Sequence, residues 1–454
     1  MMVSASSIEL ERRRDGGETE AMSRRIYFDG LNLSLERGTG IATYTRKLAQ
    51  IVHDLGFEVG VVYSSPRRPA RNPLRREISF LNTRDAAPVA YPKKVWDTIC
   101  DQVRCPFGLE PSTVDLTGTV ITGELQERLP LHDHLFVARN LFANARRYFS
   151  WSGRFIELNF DTAPDILHCT YQLPLRAKRA RNVYTIHDLV PLRLPYATLD
   201  NKRQTYSLLR KIAAEADHIV TVSEHSKREI VQLLGVDEAR VTNTYEAVEF
   251  PRELVERPDD VIAEELRGSH GLEMQQYLLF YGALEPKKNV GRLIEAYLLS
   301  GASIPLVITG AGGWGNRAEV KMIEGLRAEG RAPGTPRIHH FEFVSFPMLV
   351  TLIRGARAVL FPSLYEGFGL PVLEAMLLGT PVVTSRASSL PEIAGDAALY
   401  VDPYDVDDIA DAIKTITADE GLRTELSRRG RAQAELFSVA RYRERVTALY
   451  ERLG

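Results

Sequence analysis

The chain predicts an α/β protein of two Rossmann-like, doubly wound domains facing a cleft, with further helices at its C-terminus. Three observations carry this. Short apolar runs alternate with helix-length segments in two successive series, the pattern of parallel strands joined by covering helices. A charged stretch from Phe250 to His270 separates the two series. Within the second, Phe361-Pro-Ser-Leu-Tyr-Glu366-Gly-Phe-Gly369-Leu-Pro371-Val-Leu-Glu374 sets two glutamates eight positions apart across a glycine-hinged loop that leaves a strand and opens a helix.

Residues 1–23 are polar and heavily charged and lack the apolar core of a secretory signal; they are expected to be a disordered extension, with Met22 a candidate start codon. Residues 24–250 form the first domain. Its strands are expected at Arg25 to Asp29, Glu58 to Tyr63, Ile166 to Cys169, Asn182 to His187, His218 to Val222 and Val241 to Tyr245, with an irregular insertion over about 65–160 that shapes an acceptor site. Residues 251–435 form the second domain. Its strands are expected at Tyr277 to Tyr281, Leu306 to Thr309, Arg337 to Phe341, Ala358 to Phe361, Pro381 to Ser385 and Ala398 to Val401, followed by helices near 405–417 and 419–435. Residues 436–454 are expected to be a helix that packs back on the first domain.

At 454 residues the chain can build two or three cores, and 44% apolar with 26% charged residues is the balance of a soluble globular protein. Apolar runs fall short of the 18 or so residues a membrane-spanning helix needs. Three cysteines without metal-ligand spacing suit a reducing cytoplasm, and a net charge of −2 argues against a nucleic-acid partner. The positive charge is clustered, however. Arg67, Arg68, Arg71, Arg75 and Arg76 form one group, and Arg176, Lys178, Arg179 and Arg181 another. Arg139, Arg146, Arg147 and Arg154 are interleaved with Phe142, Tyr148, Phe149 and Trp151. These are either solvated faces or a docking surface for an anionic membrane.

Carboxylates that accept hydroxyl hydrogen bonds, beside amides and a helix N-terminus that bind phosphate, suit a sugar nucleotide. Glu374 is placed in the first helical turn and Glu366 on the loop, with the amides of Gly367, Phe368, Gly369 and Leu370 between them. Lys287 and Lys288 precede Asn289, a good N-cap, so two cations stand at a helix start where a diphosphate would reverse their unfavourable field. Gly38 and Gly40 open the helix after the first strand, and His187 ends a buried strand on the crevice side. Ser223 is an N-cap with Glu229 closing a capping box. Gly310-Ala-Gly-Gly-Trp-Gly315 matches the dinucleotide fingerprint, which raises an NAD-dependent dehydrogenase as a rival, although it follows the wrong strand. Asp405-Val-Asp407 matches a metal motif, but its place before a helix favours capping.

The segment from about Tyr277 to Pro403 resembles the nucleotide-binding half of retaining glycosyltransferases of family 4. The paired glutamates separated by seven residues carry the likeness, with Tyr281 to Asn289, Leu306 to Trp314 and Thr380 to Glu392 in the family's order. The resemblance implies the GT-B fold and transfer of a hexose from a nucleoside diphosphate sugar, with GDP-mannose favoured by prevalence, to a saccharide or lipid-linked acceptor at the cytoplasmic membrane face. It implies that Glu374 binds ribose, Glu366 the sugar hydroxyls, and Lys287 and Lys288 the phosphates. It further implies that Gly38, Gly40 and His187 approach the donor from across the cleft, and that no metal or other cofactor is needed. Ala283 follows Gly282 where many members carry an additional arginine, which shifts phosphate binding onto Lys287. A catalytically silent sugar-nucleotide-binding subunit is the alternative from another class.

Overall fold

The computed structural model describes residues 24–34, 40–82, 91–120, 129–312 and 338–453, together with residues 321 and 325. The 1–23 extension, Gly38 and the part of the Gly310–Gly315 run beyond Gly312 lie outside the described residues.

The first ten strands are β1 (Arg25–Asp29), β2 (Glu58–Ser65), β3 (Ser112–Val114), β4 (His134–Arg139), β5 (Ile156–Leu158), β6 (Ile166–Cys169), β7 (Leu175–Ala177), β8 (Arg181–Thr185), β9 (His218–Thr221) and β10 (Val241–Asn243). Eight of them make one sheet in the order β10-β9-β8-β6-β1-β2-β4-β3, while β5 and β7 pair separately. Pairing within the large sheet is parallel except where β3 runs against β4. The second sheet comprises β11 (Leu278–Tyr281), β12 (Leu306–Thr309), β13 (Ile338–Phe341), β14 (Ala358–Phe361), β15 (Val382–Ser385) and β16 (Ala398–Val401), all parallel, in the order β13-β12-β11-β14-β15-β16. Strands such as β11, β12, β14 and β15 are buried along their whole length, as expected of parallel strands covered on both faces.

Two doubly wound domains are therefore present, as the alternating series predict. The region 65–160 departs from expectation. It is not an irregular insertion, because β4 pairs with β2 over six residues and extends the sheet. Its arginines and aromatics also part company. Phe142, Tyr148 and Phe149 are buried, and Arg139 forms ion pairs with Asp97 at 2.8 Å and Asp101 at 3.3 Å. Of that set, only Trp151 is an exposed aromatic.

The last helix, Val439–Leu453, lies on the first domain against helix Gly40–Asp54. A buried polar chain anchors it: the Tyr450 hydroxyl meets His168 Nδ1 at 2.7 Å, His168 Nε2 meets Thr185 Oγ1 at 2.8 Å, and Thr185 meets the Tyr44 hydroxyl at 3.2 Å. Burial holds the His168 imidazole neutral, its pKa pushed down to about 3. The polypeptide thus passes between the domains twice, and the two passages run side by side, with Val248, Phe250, Phe437 and Ser438 walling one cavity.

Candidate active site

The segments that follow β8, β11 and β14 meet in the cleft. The loop after β14 holds Glu366, which is buried. Its carboxylate accepts from Lys288 Nζ at 2.7 Å and from Ser363 Oγ at 2.6 Å, and Lys287 Nζ lies 3.8 Å away. Burial pushes this carboxyl's pKa up, but the two ammonium groups outweigh it and hold it below the usual range. Lys288 also sits over the Phe361 ring, 4.8 Å from its centre. Lys287 stands between the domains, 4.0 Å from Asp188 of the first and 3.8 Å from Glu366 of the second. Burial lowers the Lys287 pKa, yet Glu366 and Asp188 raise it overall, so the ammonium stays charged. Its two carboxylate partners are longer than the 2.7 Å contact of Lys288, so an incoming anion competes for its donors on better terms.

Three serines hold the glutamate loop. Ser385 Oγ donates to the Ser363 carbonyl at 2.5 Å, the Glu366 amide donates to Ser388 Oγ at 2.8 Å, and Ser389 Oγ donates to the carbonyls of Glu366 and Phe368 at 2.9 and 2.7 Å. Sequence reasoning assigned them no role, although they fall in the run from Thr380 to Glu392. Asn289 corrects another expectation. It occupies the N-cap position in a left-handed conformation, φ 62°, but its side chain makes no capping bond. Its amide donates instead to the carbonyls of Pro362 at 3.0 Å and Pro403 at 2.6 Å, tying the lysine loop to the glutamate loop.

The helix after the loop spans Leu370–Leu377 with Gly369 at φ 116° as its N-cap. It begins at Leu370, so Glu374 opens the second turn and is not in the first. Burial pushes the Glu374 pKa up to about 7, opposed by Tyr281 and Lys288 and reinforced by Glu246. The Phe368 side chain is buried against Phe437 at 5.7 Å and Tyr245 at 6.5 Å between ring centres, which leaves its amide as the group expected to meet an anion.

Gly40 begins helix Gly40–Asp54 across the cleft, and a Cβ there would lie 3.4 Å from Leu370 Cδ1. Two helix N-termini therefore converge on one space, both favouring negative charge. His187 lines the same space, but both ring nitrogens are engaged. Nε2 lies 3.0 Å from the Thr170 carbonyl and Nδ1 lies 3.5 Å from Glu246. Two acceptors favour the imidazolium: burial lowers the pKa, and Glu246 more than reverses it. Glu246, in the extended segment after β10, carries no motif and was not foreseen. Asp29 is occupied in the frame, accepting from the Thr170 amide at 2.5 Å and its hydroxyl at 2.9 Å.

The domains touch in a closed arrangement. Gly367 packs on the backbone of His187, and Ser226 Oγ reaches both the His187 carbonyl, at 3.1 Å, and the Gly367 carbonyl, at 3.3 Å. Glu392 accepts from the amides of Glu224 at 2.8 Å and His225 at 3.0 Å, closing the start of helix Glu224–Leu234 from the opposite domain. Ser223 caps that helix through the Ser226 amide at 3.0 Å, whereas Glu229 takes no part in a capping box and binds Arg193 and the Tyr365 hydroxyl.

In the described part of the Gly310–Gly315 run, Gly310, at φ 150°, packs against the Gly282 carbonyl and Gly312 bridges Leu284. Asp405 accepts from the amides of Asp407 at 2.9 Å and Asp408 at 3.2 Å as a helix cap.

Paired nucleotide-binding-type domains with a cationic, amide-rich cleft define a GT-B glycosyltransferase. Comparison with known proteins agrees. The family model described as glycosyl transferases group 1 matches residues 262–433, and that described as Glycosyltransferase Family 4 matches residues 119–249. O-antigen chain mannosyltransferase B of Escherichia coli is 36% identical over 276 residues, 59% of this chain and 69% of that protein. The serotype-specific mannosyltransferase WbdA of Escherichia coli is 28% identical over 299 residues, where the chain spans 36% of the relative's length. Among solved structures, Anabaena HepE in complex with UDP and glucose superposes with a TM-score of 0.64 at 16% identity, covering 94% of this chain and 100% of that one, a likeness of fold. The chain belongs to family 4 of the glycosyltransferases.

Proposed function

We propose that this glycosyltransferase moves a mannosyl residue from a nucleoside diphosphate sugar, GDP-mannose, to a hydroxyl of a saccharide or lipid-linked acceptor, with retention of anomeric configuration, in the synthesis of a cell-envelope polysaccharide. The observation that carries it is Glu366 held between Lys288 and Lys287, beside the loop amides that lead into helix Leu370–Leu377. A carboxylate so placed accepts hydrogen bonds from sugar hydroxyls and orients the anomeric carbon. Lys287 and the two helix N-termini stabilise charge as it develops on the leaving diphosphate, which lowers the barrier more than it tightens ground-state binding. Glu374 accepts from the ribose hydroxyls. The lysines and helix ends do the work that a divalent cation does in other transferases. The closed domains exclude water and so protect the donor from hydrolysis. The names of the O-antigen relatives support mannose and the polysaccharide role.

The test is direct. The purified chain is given GDP-mannose and the UDP- and dTDP-linked hexoses in the presence of a chelator, with nucleoside diphosphate release and the product's anomeric configuration by proton NMR as readouts. Fastest turnover of GDP-mannose to an α-linked product supports the reading. A β-linked product removes retention, abolition by the chelator removes metal independence, and undiminished turnover in Glu366→Ala removes the role of the clamp.

A further inference from the structure

Helix Tyr91–Arg104 turns an apolar face to solvent. At about 100° per residue, Val95, Trp96, Ile99 and Val103 fall within one arc of about 100°. Trp96 is 67% exposed and Val103 63%, and Phe107, just past the helix end, is 83% exposed. Trp151 of helix Leu141–Ser152 adjoins this strip, its indole N–H donating to Gln102 Oε1 at 2.9 Å. So many large apolar side chains gathered on one surface mark an interaction site.

Charge identifies the occupant. The helix has two acids, Asp97 and Asp101, and both turn inward to Arg139. Arg104 on the same helix is exposed, as are Arg147 and Arg154, which flank Trp151 in sequence. A second copy docking by twofold symmetry would gather the arginines of both copies at the rim of one interface. An acidic lipid surface complements them, and tryptophan and phenylalanine settle at headgroup depth while arginine reaches the phosphates.

We propose that this strip docks the first domain onto an anionic phospholipid bilayer. The inference takes its purpose from the lipid-linked acceptor proposed above, since docking would present the cleft to a carrier in the same surface, but its support is the surface itself. Among the described residues no helix is long and apolar enough to cross a membrane, so the attachment would be peripheral.

The experiment mixes the full chain with vesicles of phosphatidylcholine alone and with vesicles made half of phosphatidylglycerol. Co-sedimentation is expected only with the second, weakening as salt is added. Trp96→Ser with Val103→Ser abolishes it, and Arg147→Ala with Arg154→Ala costs about fivefold in partition for each arginine removed. Nucleoside diphosphate release with a water-soluble acceptor stays at the wild-type level in both variants. Failure of the wild-type chain to bind acidic vesicles overturns the proposal, as does binding that neither double variant changes. Conversion of a dimer to a monomer by the Trp96→Ser, Val103→Ser variant also overturns it and assigns the face to a second copy. The vesicle assay uses no donor, so its failure is distinct from failure of the proposed transfer reaction.

Discussion

Gly367→Ala tests whether the contact between the domains is the working state of the cleft. A Cβ at this position would meet the His187 carbonyl oxygen at 2.5 Å, Asp188 Cβ at 3.0 Å and the His187 carbonyl carbon at 3.2 Å, all in the opposite domain. Gly367 is not among the positive-φ glycines, so alanine fits its backbone without strain. To bring the closest pair out to ordinary contact at 3.4 Å, the loop must retreat from His187 by about 0.9 Å. Displacement on that scale costs about a hundredfold in rate when reacting groups must be aligned, or about 2.7 kcal/mol of barrier. The second domain's fold is untouched, and the stiffer unfolded chain adds about 0.4–1 kcal/mol of stability. Steady-state kinetics of nucleoside diphosphate release, paired with thermal unfolding, should therefore show turnover down about a hundredfold at an unchanged or slightly raised Tm. Wild-type turnover would mean that the closed contact is irrelevant to chemistry. A Tm lowered by many degrees would mean that Gly367 serves folding.

Gly369→Ala is expected to behave in the opposite way: at φ 116°, and with Leu390 Cδ2 at 2.8 Å from the new Cβ, it loses at least about 1 kcal/mol of stability, measured by denaturant unfolding. Glu366→Gln removes the close partner of Lys288 and one of the two carboxylates beside Lys287, and should cost up to about 3–5 kcal/mol near neutrality. Because the carboxyl's folded pKa lies below the ordinary 4.5, its contribution is complete above about 4.5 and disappears as pH falls through the folded value, so unfolding curves of the variant and wild type should converge in acid. His187 runs the other way: its folded pKa is raised, so its contribution is complete below the ordinary 6.5 and is lost as pH rises through the folded value. Glu246→Gln should lower the imidazole pKa seen by NMR, and an unshifted titration would dismiss the pairing. Glu374, with its pKa raised to about 7, is neutral below that and charged above, so nucleotide affinity measured by calorimetry should strengthen as pH rises through about 7. Glu374→Gln should flatten that dependence.

The parallel strands were legible because a strand covered on both faces must be apolar throughout, and β11, β12, β14 and β15 leave that mark in the chain. The glutamate loop and the lysine pair were legible because their spacing is local. Partnerships made across space were not. Arg139 has the composition of a solvated arginine, yet its charge is met by acids on helix Tyr91–Arg104, and β4, which ends in it, went unseen inside an arginine-rich region. Asn289 has the local preference of an N-cap, but two proline carbonyls left without donors claim its amide. Glu246 reaches His187 only because the chain turns back under the cleft after β10. Helix Leu370–Leu377 begins four residues before Glu374, which moves that carboxylate from the expected first turn to the second.

The double passage between domains has a mechanical consequence. Two neighbouring strands of backbone, one near Phe250 and one near Phe437, act as a pair of hinge pins. Rotation about the line through both is soft, while twisting or sliding stretches one of them. Opening of the cleft is thereby expected to follow a single swing that returns Glu366 and His187 to the same register each time, and a proteolytic nick at either pin is expected to leave the lobes attached but free to wander.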